Sequence, residues 1–280
     1  MNAETHFKGW AKPGTIPPGL ASGVEIEPHE TLDAISGHFR LFQLRDGHRF
    51  STDDILTAWY GTTWCPTART ALDLGSGIGT VGMICAWRLP GAKFVTVEAQ
   101  SESVALAKKS ARYNGLTERY EIRAGDFRAP EILQAEEQFD LVTGSPPYFP
   151  LGAGIESEHP QKLACRFELR GNINDYCATA AKHLASVGFF ACVFPHEPAQ
   201  LARVEAAAKK SNLVIVRKRP VVFREGDPPL IALFGMMRAE DLPEWFRGQT
   251  WTEPDLIIRM RDGKIHPEYS AVKLAIGFPP

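Results

Sequence analysis

Cysteine is sparse in this chain and shows no pattern that would make a framework. The 280 residues include five cysteines, Cys65, Cys85, Cys165, Cys177 and Cys192, scattered and without a Cys-x-x-Cys pair. Free, buried thiols in a reducing compartment are the expectation, and neither a disulfide scaffold nor a zinc site is. The eight histidines contain no pair at His-x-x-x-His spacing, so no metal is expected. No apolar run approaches the roughly 20 residues that span a bilayer. Met1 to Trp10 lacks the apolar core of a signal peptide, which points to a cytoplasmic protein with no membrane partner. Charge of one sign is missing too. Lys and Arg number 31 against 33 Asp and Glu, a net charge of −2, so the chain lacks the overall basic footprint of many nucleic-acid binders. Internal repeats and low-complexity tracts are absent as well.

What is there reads as a globular α/β protein. Hydrophobic residues make up 44% and charged residues 23%, and 280 residues suffice for one large core with extensions. Residues 1–31, with Pro13, Pro17, Pro18 and Pro28, read as a flexible or wrapping arm. A lead-in from Leu32 to Trp64 holds a helix around Asp53–Trp59. From Thr70 onward strands and helices alternate. Strands are expected at 71–74, 93–98, 120–124, 139–143, 188–194, 213–222 and 230–236. Helices fall between them at 80–89, 101–114, 173–185 and 199–211. This alternation predicts a Rossmann-like, doubly wound, mostly parallel seven-stranded sheet with helices on both faces and ligands at the strand carboxyl ends. The last two strands are expected to be antiparallel. Residues 240–280 read as an irregular C-terminal extension with a hairpin around Asp262-Gly263.

Two motifs sit at expected strand ends. After the run Phe139–Thr143 comes Ser145-Pro146-Pro147-Tyr148. Consecutive prolines fix two φ angles and remove two N–H donors, so this segment is a stiff extended loop with free carbonyls. Such a loop suits a planar group bearing an NH2, its ring on Tyr148 and its amine hydrogens on the Pro146 carbonyl and the Ser145 hydroxyl. A proline-punctuated turn beside a core tyrosine is the plainer alternative. Upstream, Asp73-Leu74-Gly75-Ser76-Gly77-Ile78-Gly79 runs from a strand into a glycine turn and a helix, where a ligand can approach unpaired N–H groups. The next strand ends in Glu98, an acid able to take two ribose hydroxyls. A dinucleotide-binding domain would show nearly the same features. The proline loop favours a different reading, because a nicotinamide enzyme has no evident use for an amine clamp there.

Together these residues resemble the class I S-adenosylmethionine-dependent methyltransferases, in the branch that methylates exocyclic or amide nitrogens. That branch carries Asn, Asp or Ser followed by Pro-Pro and an aromatic. The resemblance runs from about Leu32 to the C-terminus, with 32–239 as the methyltransferase domain and its lead-in. It implies S-adenosyl-L-methionine as cofactor, with Asp73, Gly75, Ser76, Gly77 and Gly79 around its methionine half and Glu98 on the ribose. Asp126 would hold the adenine amine and Phe127 pack the ring; the alternative for Asp126 is a helix N-cap. A narrower likeness runs through Phe42–Leu56, Ala164–Glu168 and Pro254–Gly263, which are similar to the bacterial tRNA adenine-N6 methyltransferase family. Members of that family methylate an adenosine beside the anticodon of a valine tRNA. Ser145 stands where that family usually has Asn, and Phe167 where a His is common.

RNA, tRNA in particular, is therefore the expected partner of a monomeric enzyme. Its contacts would come from a local basic rim of Arg166, Arg170, Arg217, Lys218 and Arg219, for which solvated surface is the alternative. Three other readings stay open. A protein glutamine N5-methyltransferase would use the same clamp but usually brings a helical N-terminal domain. A cytosine-N4 methyltransferase is favoured by Ser145 but normally has a target-recognition domain. The third is a methyltransferase-like binding protein without catalysis.

Overall fold

A computed structural model of the chain describes residues 5–149, 161 and 167–279. The short strands β1 (His6–Phe7) and β2 (Trp10–Ala11) pair antiparallel, and β3 (Glu30–Ala34) and β4 (Arg40–Leu44) form a second antiparallel pair. Helix α1 (Thr52–Trp64) begins at a capping box, in which the Ser51 N–H donates to the Asp54 carboxylate at 2.9 Å. β5 (Thr70–Leu74), α2 (Thr80–Arg88), β6 (Lys93–Glu98), α3 (Ser101–Tyr113), β7 (Tyr120–Ala124) and β8 (Phe139–Gly144) then alternate. Past the proline loop come α4 (Ile173–His183), β9 (Leu184–Pro195), α5 (Pro198–Lys210), β10 (Leu213–Val222) and β11 (Ile231–Arg238). The chain closes with β12 (Trp251–Thr252), β13 (Leu256–Ile257) and α6 (Pro267–Ala275).

The main sheet runs β12-β10-β11-β9-β8-β5-β6-β7, with β13 also on β10. β7, β6, β5, β8 and β9 are parallel, whereas β11 is antiparallel to both β9 and β10. The seven expected strands are β5 to β11, including the antiparallel last pair; β12 and β13 add two short parallel segments at one edge. The chain leaves β5 toward β6 and β7, then returns to place β8 on the other side of β5. That reversal opens a crevice beyond the carboxyl ends of β5 and β8, where α/β sheets bind ligands.

Period-two alternation explains why helices cover both faces. On β9, Phe189, Ala191 and Val193 join the core shared with α1, α2, α3 and α6, while Phe190, Cys192 and Phe194 join the core shared with α4 and α5. β11 divides in the same way, Ile231 and Leu233 against Ala232, Phe234 and Met236. Phe190, Phe194 and Phe234 are fully buried, and cutting any one to Ala would cost about 3–5 kcal/mol. One expectation is corrected here: the segment after residue 240 is not irregular throughout. The turn at Asp262-Gly263 is present, closed by the bridge between Arg259 and Ile265. Beyond it lies α6, whose Tyr269, Val272 and Ile276 at helical spacing pack into the core.

Candidate functional site

A cleft of about 370 Å³ opens at the carboxyl ends of β5, β6, β7 and β8. Its lining includes Asp73, Gly75, Ser76, Gly77, Glu98, Asp126, Phe127, Arg170 and all four residues of Ser145-Pro146-Pro147-Tyr148. The two motifs, separated by some seventy positions in sequence, thus share one cavity because β5 and β8 are sheet neighbours with Leu74 opposite Gly144.

The glycine turn is built by carboxylates. Asp73, at the end of β5, accepts from Thr143 Oγ1 at 2.8 Å and from the Gly82 N–H of α2 at 3.0 Å. Desolvation, opposed by these bonds and aided by the charges of Asp54 and Glu98, pushes the Asp73 carboxyl up to about 7. Glu98 accepts from the Gly77 N–H at 2.8 Å and the Gln100 N–H at 2.6 Å, and burial raises its pKa despite them. Gly75 has φ +59°, and a Cβ there would lie 2.2 Å from Tyr176 Oη. Gly77 has φ +55°, yet a Cβ there would meet nothing within 4 Å, so its backbone faces open space. Gly79 does not line the cleft; it is the left-handed residue that starts α2.

Asp126 follows β7 and sits in a turn, not at a helix N-terminus. Its carboxylate accepts from the Arg128 N–H and Nε, both at 2.9 Å, and from Nη2 at 2.5 Å, and these bonds lower its pKa. Phe127 is buried, its ring edge-on to Tyr176 with centroids 4.8 Å apart. Arg170 lies close enough for its charge to lower the pKa values of Glu98 and Asp126.

The proline loop leaves β8 with Pro146 buried and Ser145 and Tyr148 half-buried. Tyr148 Oη donates to Asp53 Oδ2 at 2.6 Å, its ring stands edge-on to Phe194 at 5.5 Å, and its carbonyl accepts from Arg203 Nη1 at 3.5 Å. Arg203 is itself held by an ion pair to Glu168.

Of the basic rim, Arg166 lies outside the described residues. Arg217, Lys218 and Arg219 are on β10, away from the cleft lining. The Arg217 guanidinium lies over the Trp64 ring at 3.3 Å and 3.6 Å from Glu253, and Arg219 is 3.8 Å from the same carboxylate. Glu253 is buried and accepts from Tyr60 Oη at 2.7 Å. Lining residues with no site role in the sequence reading include Asp53, Asp54 and Tyr176. Ser51-x-x-Asp54 was a legible capping signature, but it signals a helix start and not an acid pair aimed into a cavity. Desolvation raises Asp53 and pushes Asp54 up to about 6. Tyr176 packs under both Gly75 and Gly144, which explains why those positions carry no side chain.

Among the described residues no group of three or more His, Cys, Asp or Glu side chains is placed to hold a metal, and no helix is long and apolar enough to cross a membrane.

The sequence pattern described as Methyltransferase small domain matches residues 56–163. A tRNA1(Val) (adenine(37)-N6)-methyltransferase of Shigella dysenteriae is 29% identical over 152 residues, 53% of this chain and 59% of that protein. The chain therefore spans less than two thirds of the length of the curated relatives that it matches. Among solved structures, a protein of Agrobacterium tumefaciens described as a predicted O-methyltransferase aligns over 81% of this chain and 98% of its own, with TM-score 0.59 and 19% identity. A SAM-dependent methyltransferase from the same organism aligns over 77% and 72%, with TM-score 0.54 and 13% identity. The structural likenesses show the fold. The pattern matched over residues 56–163 is that of a methyltransferase, for which S-adenosyl-L-methionine is the implied cofactor. The donor set fits that group. Gly77 leaves its backbone open, Ser76 Oγ is buried with no hydrogen-bond partner among the described residues, and buried carboxylates suit a cation.

Proposed function

We propose that this protein transfers a methyl group from S-adenosyl-L-methionine to an exocyclic amine of a nucleic-acid base, the N6 of an adenine in tRNA. The observation that carries this reading is the single cleft shared by the carboxylate-held glycine turn and the Ser145–Tyr148 loop. The similarity to tRNA adenine-N6 methyltransferases supports adenine and tRNA.

When bound, the cofactor supplies an electrophilic methyl on a sulfonium. Asp73, Gly75, Ser76 and Gly77 surround its methionine half, with Gly79 behind them starting the helix. Glu98 takes the ribose hydroxyls; with four lone-pair sites its carboxylate keeps acceptor capacity beyond its backbone bonds. Asp126 accepts the cofactor's adenine amine in the same way, sharing its oxygens with Arg128, and Phe127 packs the ring.

The target base stacks on Tyr148. Its NH2 donates to Ser145 Oγ and the Pro146 carbonyl. These bonds favour a pyramidal nitrogen and return lone-pair density that the ring otherwise withdraws. No base is required before attack, because the amine acquires an extra positive charge only as the methyl arrives, and a proton then leaves the nitrogen. Catalysis is mainly orientation, which supplies up to about 7–11 kcal/mol in favourable systems. A stacked base would have to be flipped out, whereas an anticodon-loop base is already accessible. Arg170 and the residues Arg166, Arg217, Lys218 and Arg219 would serve the RNA backbone.

Ser145 in the position of the more usual Asn favours one second reading, a cytosine N4 amine. Mass spectrometry of nucleosides from the tRNA, ribosomal RNA and DNA of a deletion strain separates the two. Loss of N6-methyladenosine from tRNA supports the first reading, and loss of N4-methylcytidine the second. An unchanged set of methylated nucleosides would overturn both.

A further inference from the structure

Tyr148 is fixed at three separate points. Its hydroxyl donates to Asp53 Oδ2 at 2.6 Å, its ring edge abuts Phe194 at an interplanar angle of 84°, and its carbonyl accepts from Arg203. Phe194 and Phe149 pack on the ring and Arg203 holds the backbone, and among the described residues Asp53 alone bonds the hydroxyl at the tip of the ring. Asp53 is contributed by the first turn of α1, 95 positions away in sequence, and both residues line the cleft. The Asp53 carboxylate takes no part in the capping box, which uses Ser51 and Asp54. As a first-turn acid Asp53 favours the helix start, and its bond to Tyr148 is a use beyond that.

We infer that Asp53 is a positioning residue for the target base, acting through the Tyr148 hydroxyl to fix the position of the ring on which the base stacks. This inference rests on the proposed amine methylation. A tyrosine free to swing about χ1 places its ring over the base only part of the time, and a charge-assisted bond at the hydroxyl pins the far end of the ring axis, leaving the packed rings of Phe149 and Phe194 to set its plane. The negative Asp53 and burial both keep the phenol neutral by raising its pKa, so the hydroxyl remains a donor. It also follows that this hydroxyl is spent on Asp53 and does not read the base edge, which leaves base choice to Ser145 and Pro146.

The test combines kinetics with an observation of the ring itself. Asp53→Ala is expected to lower kcat/KM for tRNA, by up to about 100-fold as for other misplaced reacting groups, while the affinity for S-adenosyl-L-methionine and the melting temperature stay near wild type. Asp53→Asn, which still accepts from the phenol, recovers most of that loss. Asp53→Ala combined with Tyr148→Phe loses no more than the worse of the two single variants. With 3-fluorotyrosine at position 148, the fluorine resonance shifts in Asp53→Ala and hardly moves in Asp53→Asn. Additive losses in the double variant, or a matching loss of cofactor affinity in Asp53→Ala, would overturn the inference. So would a fluorine resonance that ignores Asp53. A wild-type protein inactive on every nucleic acid would sink the amine-methylation reading instead, and the fluorine result alone would then decide whether Asp53 orients the ring.

Discussion

Tyr148 and Glu98 line the same cleft but should fail in different ways. Tyr148→Ala removes a stacking face worth about 1–3 kcal/mol per base, so kcat/KM for tRNA should fall roughly tenfold to 100-fold or more with cofactor affinity within a few-fold. Isothermal titration beside steady-state kinetics checks this, and equal loss of both quantities would make the tyrosine a framework residue. Glu98→Ala should do the reverse and weaken S-adenosyl-L-methionine binding by about 1–3 kcal/mol, the cost of losing a charged hydrogen-bond partner. The acids also set a pH dependence. Asp54 and Asp73 have carboxyls raised to about 6 and about 7, and Glu98 beside them is raised as well. A raised carboxyl favours the folded protein at low pH, and that contribution is lost as pH rises through these values. A cationic cofactor favours the ionised forms. Its affinity should therefore increase as pH passes from about 6 to about 7, with protons released on binding. S-adenosylhomocysteine, which lacks the sulfonium charge, should show a smaller increase. Calorimetry in two buffers of different ionisation enthalpy measures the protons, and binding without release would remove these acids from the cofactor's surroundings.

Among the elements, the turn between β5 and α2 makes the sharpest contrast. Gly75→Ala adds left-handed strain of about 1–2 kcal/mol and also drives a methyl into Tyr176 Oη, so it should lower the melting temperature and abolish cofactor binding. Gly77→Ala carries the strain alone and should cost affinity with a smaller thermal shift. Calorimetry and thermal melts on the pair decide this, and similar behaviour would mean that Tyr176 yields easily. β10 was legible to the residue, 213–222, because β-branched and apolar residues, Leu213–Val216 and Val221-Val222, mark both of its ends. Alternation implied a doubly wound sheet, but that β5 and β8 flank the switch is seen only in the strand order. The hairpin β3–β4 was missed because its partner relation depends on register between segments with no turn signature of the common two-residue type. β12 and β13, at two residues each, are too short to show any period. α6 was announced only by Pro267 at its first turn and by three apolar positions. Within the site, the glycines and the proline loop could be read because their backbone demands are local. Asp53 and Tyr176 could not, since their use comes from neighbours brought near by the sheet order.

For the whole molecule the question is how a chain of net charge −2 would hold RNA. Arg217 and Arg219 already serve Glu253, and Arg217 covers Trp64, so replacing either should lower the melting temperature by taking one of two cations from a buried carboxylate. Lys218 is the cleaner probe of the rim. Lys218→Glu should raise KM for tRNA and reduce the slope of log affinity against log salt by about 0.7–0.9 for each phosphate that is no longer neutralised. A wild-type slope would leave the β10 cations as framework and move the search for the RNA face to Arg166 and Arg170. The most direct measurement is made on the product. Purified protein is incubated with isotopically methyl-labelled S-adenosyl-L-methionine and unmodified tRNA, the RNA is digested, and its nucleosides are identified by mass spectrometry. Labelled N6-methyladenosine is the expected result; label in N4-methylcytidine, in protein, or in nothing at all would contradict it.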